Sequence, residues 1–388
     1  MKAKAILRGI TWNHSRAAPP LLATAQRFEE THPGVEIRWD KRSLHDFGHA
    51  SLAALAARYD LLVIDHPMMG RCARSRALLD LGQILEKSFL TELASDSVGE
   101  CYKSYEYEGK LFAVPIDAAA PAASLRPDLL DRAGAAIPQT WSDLVRLARK
   151  GQVVMPGFPA DVFLNFMGLC VSHGAVVAGD AEEFVDFQTG ERCLDELREL
   201  AACMPGQIYA WNPIAIYEHL AAEDDHAYCP FAFSYSNYSR PGFAKHLVLF
   251  ANPVRLDDGR PSRTVLGGAG IAISARCKAP DVALEYVTKI AGADWQQNLY
   301  GLAGGQPARR SAWQNDALNQ ITHGFFERTR DSIESAYLRP RYAGYVEFQA
   351  RAGGPMVQYL KRGGSPRQAL EKVNRLYRLS QERGRSRI

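Results

Sequence analysis

A short unbroken run of aliphatic residues, Leu61–Ile64, constrains the fold of this chain more than any other feature. A strand with one face in water alternates apolar and polar residues, so an uninterrupted run predicts a strand that is covered on both faces. A helical pattern from about Pro20 and an alternating segment from Val35 precede the run. Strands separated by helical stretches predict βαβ units, and therefore an α/β chain with a largely parallel sheet.

The same succession of strand and helix signals continues along the chain. We predict a strand over residues 111–114 that ends at Pro115, and a Gly-rich strand over residues 265–274. Helices are predicted after Thr140 and after Ser365, where a capping residue precedes an apolar periodic stretch. No internal repeat of fixed period is present in the sequence.

Size and charge exclude several classes of protein. A chain of 388 residues exceeds the roughly 250–300 residues at which a single core stops growing, so it predicts more than one domain. The net charge of +3 is too balanced to indicate a nucleic-acid or membrane-surface partner. The first residues are basic but lack the apolar stretch of a secretion leader, so this start by itself predicts a chain without one.

The cysteines show no spacing that would indicate a metal or redox centre. The sequence contains seven, an odd number, and no two are arranged as C-x-x-C. We therefore expect buried thiols in a reducing compartment. The sequence leaves one alternative open, a single disulfide such as Cys193–Cys203. No metal and no cofactor is expected.

Motifs for catalysis are also absent from the sequence. The glycines at 267, 268 and 270 do not match G-x-G-x-x-G and lead into a strand rather than a helix. No P-loop, G-x-S-x-G or H-E-x-x-H motif occurs. Asp224, Asp225 and His226 are adjacent and would point in different directions, which favours a solvated loop over a metal cluster. The sequence predicts a protein that is not an enzyme.

Polar and aromatic residues follow two of the predicted strands. Trp12 and His14 come after the first strand, which we predict to end near Gly9, while Asp65 and His66 come after the third. Ligands of open α/β sheets bind beyond the carboxyl ends of the strands, so these residues are candidates for binding. The alternative is that Trp12 is a packing residue and Asp65 a helix cap.

A second group of candidates lies in the middle of the chain. Alternation places Phe231, Phe233 and Tyr235 on one face of an extended segment, with polar residues between and beside them. Aromatic faces next to hydroxyl and amide groups suit a small polar organic ligand such as a sugar. Packing of these rings in a core is the alternative.

Several stretches, in this order and spacing, resemble the family 1 extracellular solute-binding proteins of ABC importers, the maltose-binding-protein-like group. They are HPGV at 32–35, YDLLVID at 59–65, YEGKLFAVP at 107–115, RPDLL at 126–130, PQTWSDL at 138–144, LGGAGIAIS at 266–274 and GGQPARR at 304–310. Each motif is weak alone, but together they extend over nearly the whole chain.

The resemblance implies a two-lobe periplasmic-binding-protein-like fold of type II. Each lobe would be a mixed, mostly parallel sheet flanked by helices, with a ligand cleft at the hinge. The N-terminal lobe would comprise residues 1–115 and 265–312, and the C-terminal lobe residues 116–264 and 313–388. The implied function is that of the substrate-binding component of an ABC importer, which captures a small polar solute, sugar-like or a small organic acid, by hinge closure.

The resemblance also implies where and how the solute binds. Stacking on Trp12 and Phe231, hydrogen bonds to Asp65, Asp117 and the Gln306 amide, and backbone groups of Gly268 are expected. The full set of implied binding residues is Trp12, His14, Asp65, His66, Asp117, Phe231, Tyr235, Gly268 and Gln306. The protein would act as a monomer in the periplasm, with membrane permease subunits of the transporter as partners.

Two other functions remain open at this point. The cysteines and the start of the sequence would suit a cytosolic sensor or scavenger of the same fold. An enzyme on this fold would use His14 or His66 as the acid or base, with Asp65 or Asp117 orienting it.

Overall fold

The computed structural model describes residues 5–49 and 51–386. The strands are β1 (Ala5–Trp12), β2 (Val35–Arg42), β3 (Leu61–Ile64), β4 (Glu106–Tyr107), β5 (Lys110–Leu111), β6 (Val114–Ala119), β7 (Pro121–Leu125), β8 (Tyr228–Phe233), β9 (Leu249–Ala251) and β10 (Gly267–Ile273).

Helices occupy most of the sequence between the strands. They are α1 (Ala18–Thr31), α2 (Leu44–His49), α3 (Leu52–Ala56), α4 (Met69–Ser75), α5 (Leu81–Ile84), α6 (Lys87–Ser95), α7 (Cys101–Ser104), α8 (Pro127–Arg132), α9 (Trp141–Arg149), α10 (Pro159–Ser172), α11 (Phe187–Ala202), α12 (Pro213–Ala222), α13 (Pro280–Ala291), α14 (Arg310–Trp313), α15 (Asp316–Ile321), α16 (Phe325–Arg328), α17 (Arg330–Glu334), α18 (Tyr345–Arg362) and α19 (Pro366–Ser386). Among the described residues, no helix has the length and apolar character that crossing a bilayer requires.

The helix starts predicted from capping residues are confirmed. Thr140 accepts a hydrogen bond from the Asp143 N–H while the Asp143 carboxylate accepts one from Thr140, which closes a capping box at the start of α9. The Ser365 hydroxyl accepts a hydrogen bond of 3.3 Å from the Gln368 N–H at the start of α19. These starts depend on neighbours within four residues, so sequence alone locates them.

Backbone contacts divide the chain into two units. The first consists of Met1–Ala119, Gly267–Gln320 and Arg341–Val346, and the second of Ala120–Leu266, Ile321–Pro340 and Glu347–Ile388. Each unit is therefore assembled from three separate stretches of sequence.

The first unit contains a five-stranded mixed sheet of order β2-β1-β3-β10-β6. The strand β1 pairs in parallel with β2 and β3, whereas β10 runs antiparallel to β3 and β6. All four side chains of Leu61–Ile64 are fully buried, which confirms the strand covered on both faces. Helices such as α1 and α13 cover the sheet and complete the apolar core of this unit.

The predicted strand over residues 111–114 is wrong in its extent. A two-residue strand, β5, ends at Leu111, and a separate strand, β6, begins at Val114 and contains Pro115. Proline lacks the N–H group that an interior strand needs, but β6 lies at the edge of the five-stranded sheet, where β10 is its neighbouring strand. Pro115 is therefore accommodated within the strand instead of ending it.

The second unit contains a three-stranded sheet of order β8-β7-β9, packed among helices. Both pairings are antiparallel, which departs from the mostly parallel sheet expected for each lobe. The small residues after Ala118 form the end of β6 and most of β7, and they are buried. Helix α11 packs against both α10 and α19 in this unit.

Candidate functional site

The carboxyl edge of the first unit's sheet carries most of the predicted binding residues. Trp12 is the last residue of β1, because β1 pairs with β2 without interruption from Ala5 to Trp12. The prediction that β1 ends near Gly9 is therefore wrong. Gly9 lies within the strand, paired with Trp39. The Trp39 ring leaves no room for a side chain there, since a Cβ would lie 2.5 Å from its atoms.

A buried ion pair lies beside Trp12. The Arg16 guanidinium donates from Nε to Asp117 Oδ2 at 2.9 Å and from Nη2 to Asp117 Oδ1 at 2.5 Å. The two side chains are 5% and 0% exposed, and the Arg16 guanidinium carbon lies 5.8 Å from the Trp12 ring centroid. Sequence reasoning missed Arg16 altogether. A solute that hydrogen-bonded to Asp117 would share its carboxylate with Arg16.

Gly268 and Gln306 hold the strand that carries Asp117. The Gln306 side-chain amide donates a hydrogen bond of 3.1 Å to the Ala118 carbonyl, and the Gln306 backbone carbonyl accepts one of 2.9 Å from the Ala118 N–H. Gly268 has φ +112°, and a Cβ there would lie 2.2 Å from the Asp117 carbonyl oxygen. Glycine is therefore required for β10 to approach β6 this closely.

His14 lies against the same arginine. Its Nδ1 accepts a hydrogen bond of 3.0 Å from the Arg16 N–H. Burial, followed by the nearby Arg16 charge, lowers the pKa of His14 to about 4. The imidazole is consequently neutral at pH 7, which suits hydrogen bonding more than ion pairing.

The lowered pKa of His14 predicts a loss of stability in acid. The unfolded chain takes up a proton near pH 6.5 and the folded chain near pH 4, so the free energy of unfolding falls as the pH drops through this window. We expect a contribution with a slope of up to about 1.4 kcal/mol per pH unit. Urea unfolding at pH 7, 6, 5 and 4 measures it, and His14→Gln is the control. A difference between the two proteins that does not change with pH would contradict the prediction.

Asp65 and His66 follow β3 at the same edge of the sheet. Asp65 precedes the helical turn His66–Met68, but its side chain makes no capping hydrogen bond there. Its Oδ1 lies 3.2 Å from Nδ1 of His66, which is 1% exposed, while Asp65 is 21% exposed. Asp65 is also close enough to Asp117 for the two carboxylates to interact. Its side chain is thus placed for polar contacts beyond the strand end.

Arg42 is the second residue of this edge that sequence reasoning missed. It pairs in register with Trp12, donates from Nη2 to the Val63 carbonyl at 2.8 Å, and lies 5.2 Å from the Phe47 ring centroid. Within residues 5–49 and 51–386, its Nε and Nη1 are buried without a hydrogen-bond partner, as is Nε1 of Trp12. Burial lowers the pKa of Arg42 to about 10, so the guanidinium remains charged at pH 7.

The second unit carries the two remaining predicted residues. The side chains of Phe231 and Phe233 are the half-buried ones of β8, so the predicted alternation is confirmed there. The Phe231 ring lies almost parallel to Trp141, with centroids 6.5 Å apart, at a small pocket also lined by Pro121. Tyr235 lies just after β8, is 4% exposed, and packs against Tyr217 with centroids 6.0 Å apart.

The predicted residues thus form one cluster in the first unit and a separate pair in the second. In the first unit, Trp12, His14 and Asp117 lie next to Arg16. Gly268 and Gln306 hold the strand that carries Asp117, and Asp65 and His66 lie at the same sheet edge. Uncharged donors, a charged donor and a carboxylate meet at the edge where α/β sheets bind small ligands. This arrangement can hold a small polar molecule.

A two-unit α/β chain with such an edge has the architecture of a solute-binding protein. Residues 23–323 match the family described as bacterial extracellular solute-binding protein. The match extends over more than half of the chain, and the chain belongs to this family. Its members bind solutes and are not enzymes, which confirms that part of the sequence prediction.

Solved structures confirm the fold class. Maltose-bound MalE3 of T. maritima is 19% identical over 97% of this chain and 99% of its own, with a TM-score of 0.82. An ABC transporter solute-binding protein of Agrobacterium radiobacter K84, in complex with ribitol, is 20% identical over 97% and 99%, with a TM-score of 0.81. The GacH receptor of Streptomyces glaucescens is 17% identical over 98% and 99%, with a TM-score of 0.80. No curated protein sequence matches the chain.

Proposed function

We propose that this chain is the substrate-binding component of an ABC importer and captures a small polar organic solute in the periplasm without transforming it. The observation that carries the proposal is the set of buried donors at the carboxyl edge, Nε and Nη1 of Arg42 and Nε1 of Trp12. A buried N–H group without a partner costs about 1–3 kcal/mol, and more when it is charged. Oxygen atoms of a bound solute would offset that cost.

The donors favour a particular class of solute. Arg42 presents charged N–H donors, and such donors bond most strongly to an anionic group such as a carboxylate. Trp12 and the neutral His14 suit hydroxyl oxygens and the apolar face of a ring. Of the two predicted classes, we therefore favour an organic acid that also carries hydroxyl groups, for example a sugar acid, over a neutral sugar.

Matched pairs of probes test the class of solute. We would compare D-glucuronate with D-glucose, and D-galacturonate with D-galactose, by thermal shift and calorimetry. The two compounds of each pair differ by the carboxylate. We expect the acids to raise the melting temperature through mass action and the neutral sugars to do so less. Stabilisation by neutral sugars alone would overturn the anionic class but leave solute binding standing. Native mass spectrometry that finds no co-purified solute, together with no shift from any probe, would overturn the function.

Phe231 provides a second test, in the other unit. If its half-buried face stacks on the solute, Phe231→Ala is expected to weaken binding roughly 10- to 100-fold, as loss of a buried aromatic anchor does. Calorimetry with the best-binding probe measures the change, and the melting temperature of the solute-free variant checks that the fold is intact. Equal affinity of variant and parent would remove Phe231 from the site.

The remaining parts of the proposal come from the sequence resemblance. We keep the division into two lobes, with the boundaries moved to those of the two units so that β6 and Asp117 stay in the first lobe. We also keep capture by hinge closure, action as a monomer, and membrane permease subunits as partners. The family's extracellular description supports the periplasmic location over the cytosolic one.

A further inference from the structure

Two packed helices of the second unit each present a pair of metal-ligating residues three positions apart. Cys170 lies near the end of α10 and His173 directly follows that helix, while Cys193 and Glu196 lie within α11. Residues three apart share a helix face, and α10 packs against α11. The topology therefore brings two thiols, an imidazole and a carboxylate to one helix–helix contact.

Three of these side chains lie close together, and Cys170 joins them through Cys193. The ligating atoms of His173, Cys193 and Glu196 all lie within 4.8 Å of each other. His173 Nε2 is 2.8 Å from Glu196 Oε2, and the Cys170 thiol is within hydrogen-bonding reach of the Cys193 thiol. We call this set the thiol–imidazole cluster.

Burial points to a missing partner in the thiol–imidazole cluster. Both cysteines are fully buried, and the side chains of His173 and Glu196 are 3% and 18% exposed. The second ring nitrogen of His173, Nδ1, is buried and has no hydrogen-bond partner in the part of the chain that the structure describes. A buried polar atom without a partner is unfavourable, so the native protein is expected to satisfy it.

We propose that the thiol–imidazole cluster binds a Zn²⁺ ion that links α10 to α11. Thiolate sulfur, imidazole nitrogen and carboxylate oxygen are the donor types that zinc takes in tetrahedral sites. With bonds of about 2.0–2.3 Å, such ligands lie roughly 3.3–3.8 Å apart, so side-chain movements of about 1 Å bring His173, Cys193 and Glu196 to these distances. Cys170, next to Cys193, would supply the fourth ligand. Two thiolates, a carboxylate and a neutral imidazole around Zn²⁺ leave one negative charge. Arg192, which donates to Glu196 at 3.0 Å, lies beside that charge.

The surroundings give a cation a route to the cluster. A cavity open to solvent reaches His173 and is lined by the acidic residues Asp180, Glu183 and Asp186. Carboxylates around an opening raise the local concentration of cations. The site is distinct from the residues assigned to the solute, and it does not depend on the identity of that solute.

Metal analysis of the purified full-length chain tests the proposal. We expect one zinc per reduced chain by elemental analysis, a rise in melting temperature when Zn²⁺ is restored after chelation, and thiolate-to-metal charge-transfer absorption when Co²⁺ replaces it. Cys193→Ser should abolish stoichiometric binding, and Glu196→Gln should weaken it at least tenfold. Circular dichroism verifies that both variants fold.

Cys203→Ala supplies the matched control. Cys203 follows the same helix but donates to the Glu199 carbonyl, outside the cluster, so this variant should bind zinc like the parent. Less than one zinc per two chains under reducing conditions would overturn the proposal, as would full binding by Cys193→Ser. Thiol titration that finds a Cys170–Cys193 disulfide in metal-free protein isolated from its native compartment would also overturn it.

Discussion

Asp117→Ala is expected to lower the free energy of unfolding by about 3–5 kcal/mol, because it removes one charge of a buried ion pair. The Arg16 side chain is 5% exposed and gives two hydrogen bonds to the Asp117 carboxylate. Without Asp117, a charged guanidinium would stay in a poorly solvated environment beside Trp12. The pair connects residues 101 positions apart, so its loss would affect the first unit as a whole.

Urea unfolding of the parent and three variants measures this effect. The double replacement of Arg16 by Met and Asp117 by Leu should recover most of the loss, because an apolar pair of similar volume needs no solvation. Glu30→Ala is the control, since its partner Arg27 is 58% exposed and such surface pairs contribute about 0–1 kcal/mol. A loss below 1 kcal/mol for Asp117→Ala would show that water reaches the pair.

The parts of the fold that local sequence determines were predictable. The aliphatic run Leu61–Ile64 and the capping residues Thr140 and Ser365 each act through near neighbours in sequence. The predictions were wrong where contacts with distant segments of the chain determine the bounds of a strand. Pairing with β2 extends β1 to Trp12, and the edge position of β6 accommodates Pro115.

The candidate site was predictable where it follows strand ends. Trp12, His14, Asp65 and His66 were found because polar and aromatic residues beyond buried strands indicate a ligand edge. Arg16 was missed because arginines are mostly exposed, and nothing local shows that Asp117 will cover it. Arg42 could have been found from its place at the end of the second strand, at the same sheet edge as Trp12.

The thiol–imidazole cluster has a weaker signal in the sequence than the solute site has. A search for C-x-x-C cannot find it, because each helix supplies one cysteine together with a different ligand three residues later. Cys170 with His173 and Cys193 with Glu196 become a set through the packing of α10 on α11. Two mixed ligand pairs at helical spacing, about twenty residues apart, are the pattern that would have indicated it.

Arg42→Met is expected to separate solute affinity from stability. Removing the charged guanidinium should weaken binding of an acidic probe such as D-glucuronate roughly 10- to 150-fold, since a hydrogen bond to a charged group contributes about 1.5–3 kcal/mol. Binding of D-glucose, which lacks the carboxylate, should change much less. Calorimetry of parent and variant with both probes measures the difference.

Without solute, Arg42→Met should have nearly the same free energy of unfolding as the parent. Met loses the hydrogen bond from Nη2 to Val63, which contributes about 0.5–1.5 kcal/mol, and also removes two buried donor nitrogens that have no partner among the described residues. A methionine side chain still packs against Phe47, so the two changes should offset each other. A residue kept for stability would behave in the opposite way. A fall of several kcal/mol in the free energy of unfolding, with affinity for D-glucuronate unchanged, would assign Arg42 to the core and remove the anionic solute from the proposal.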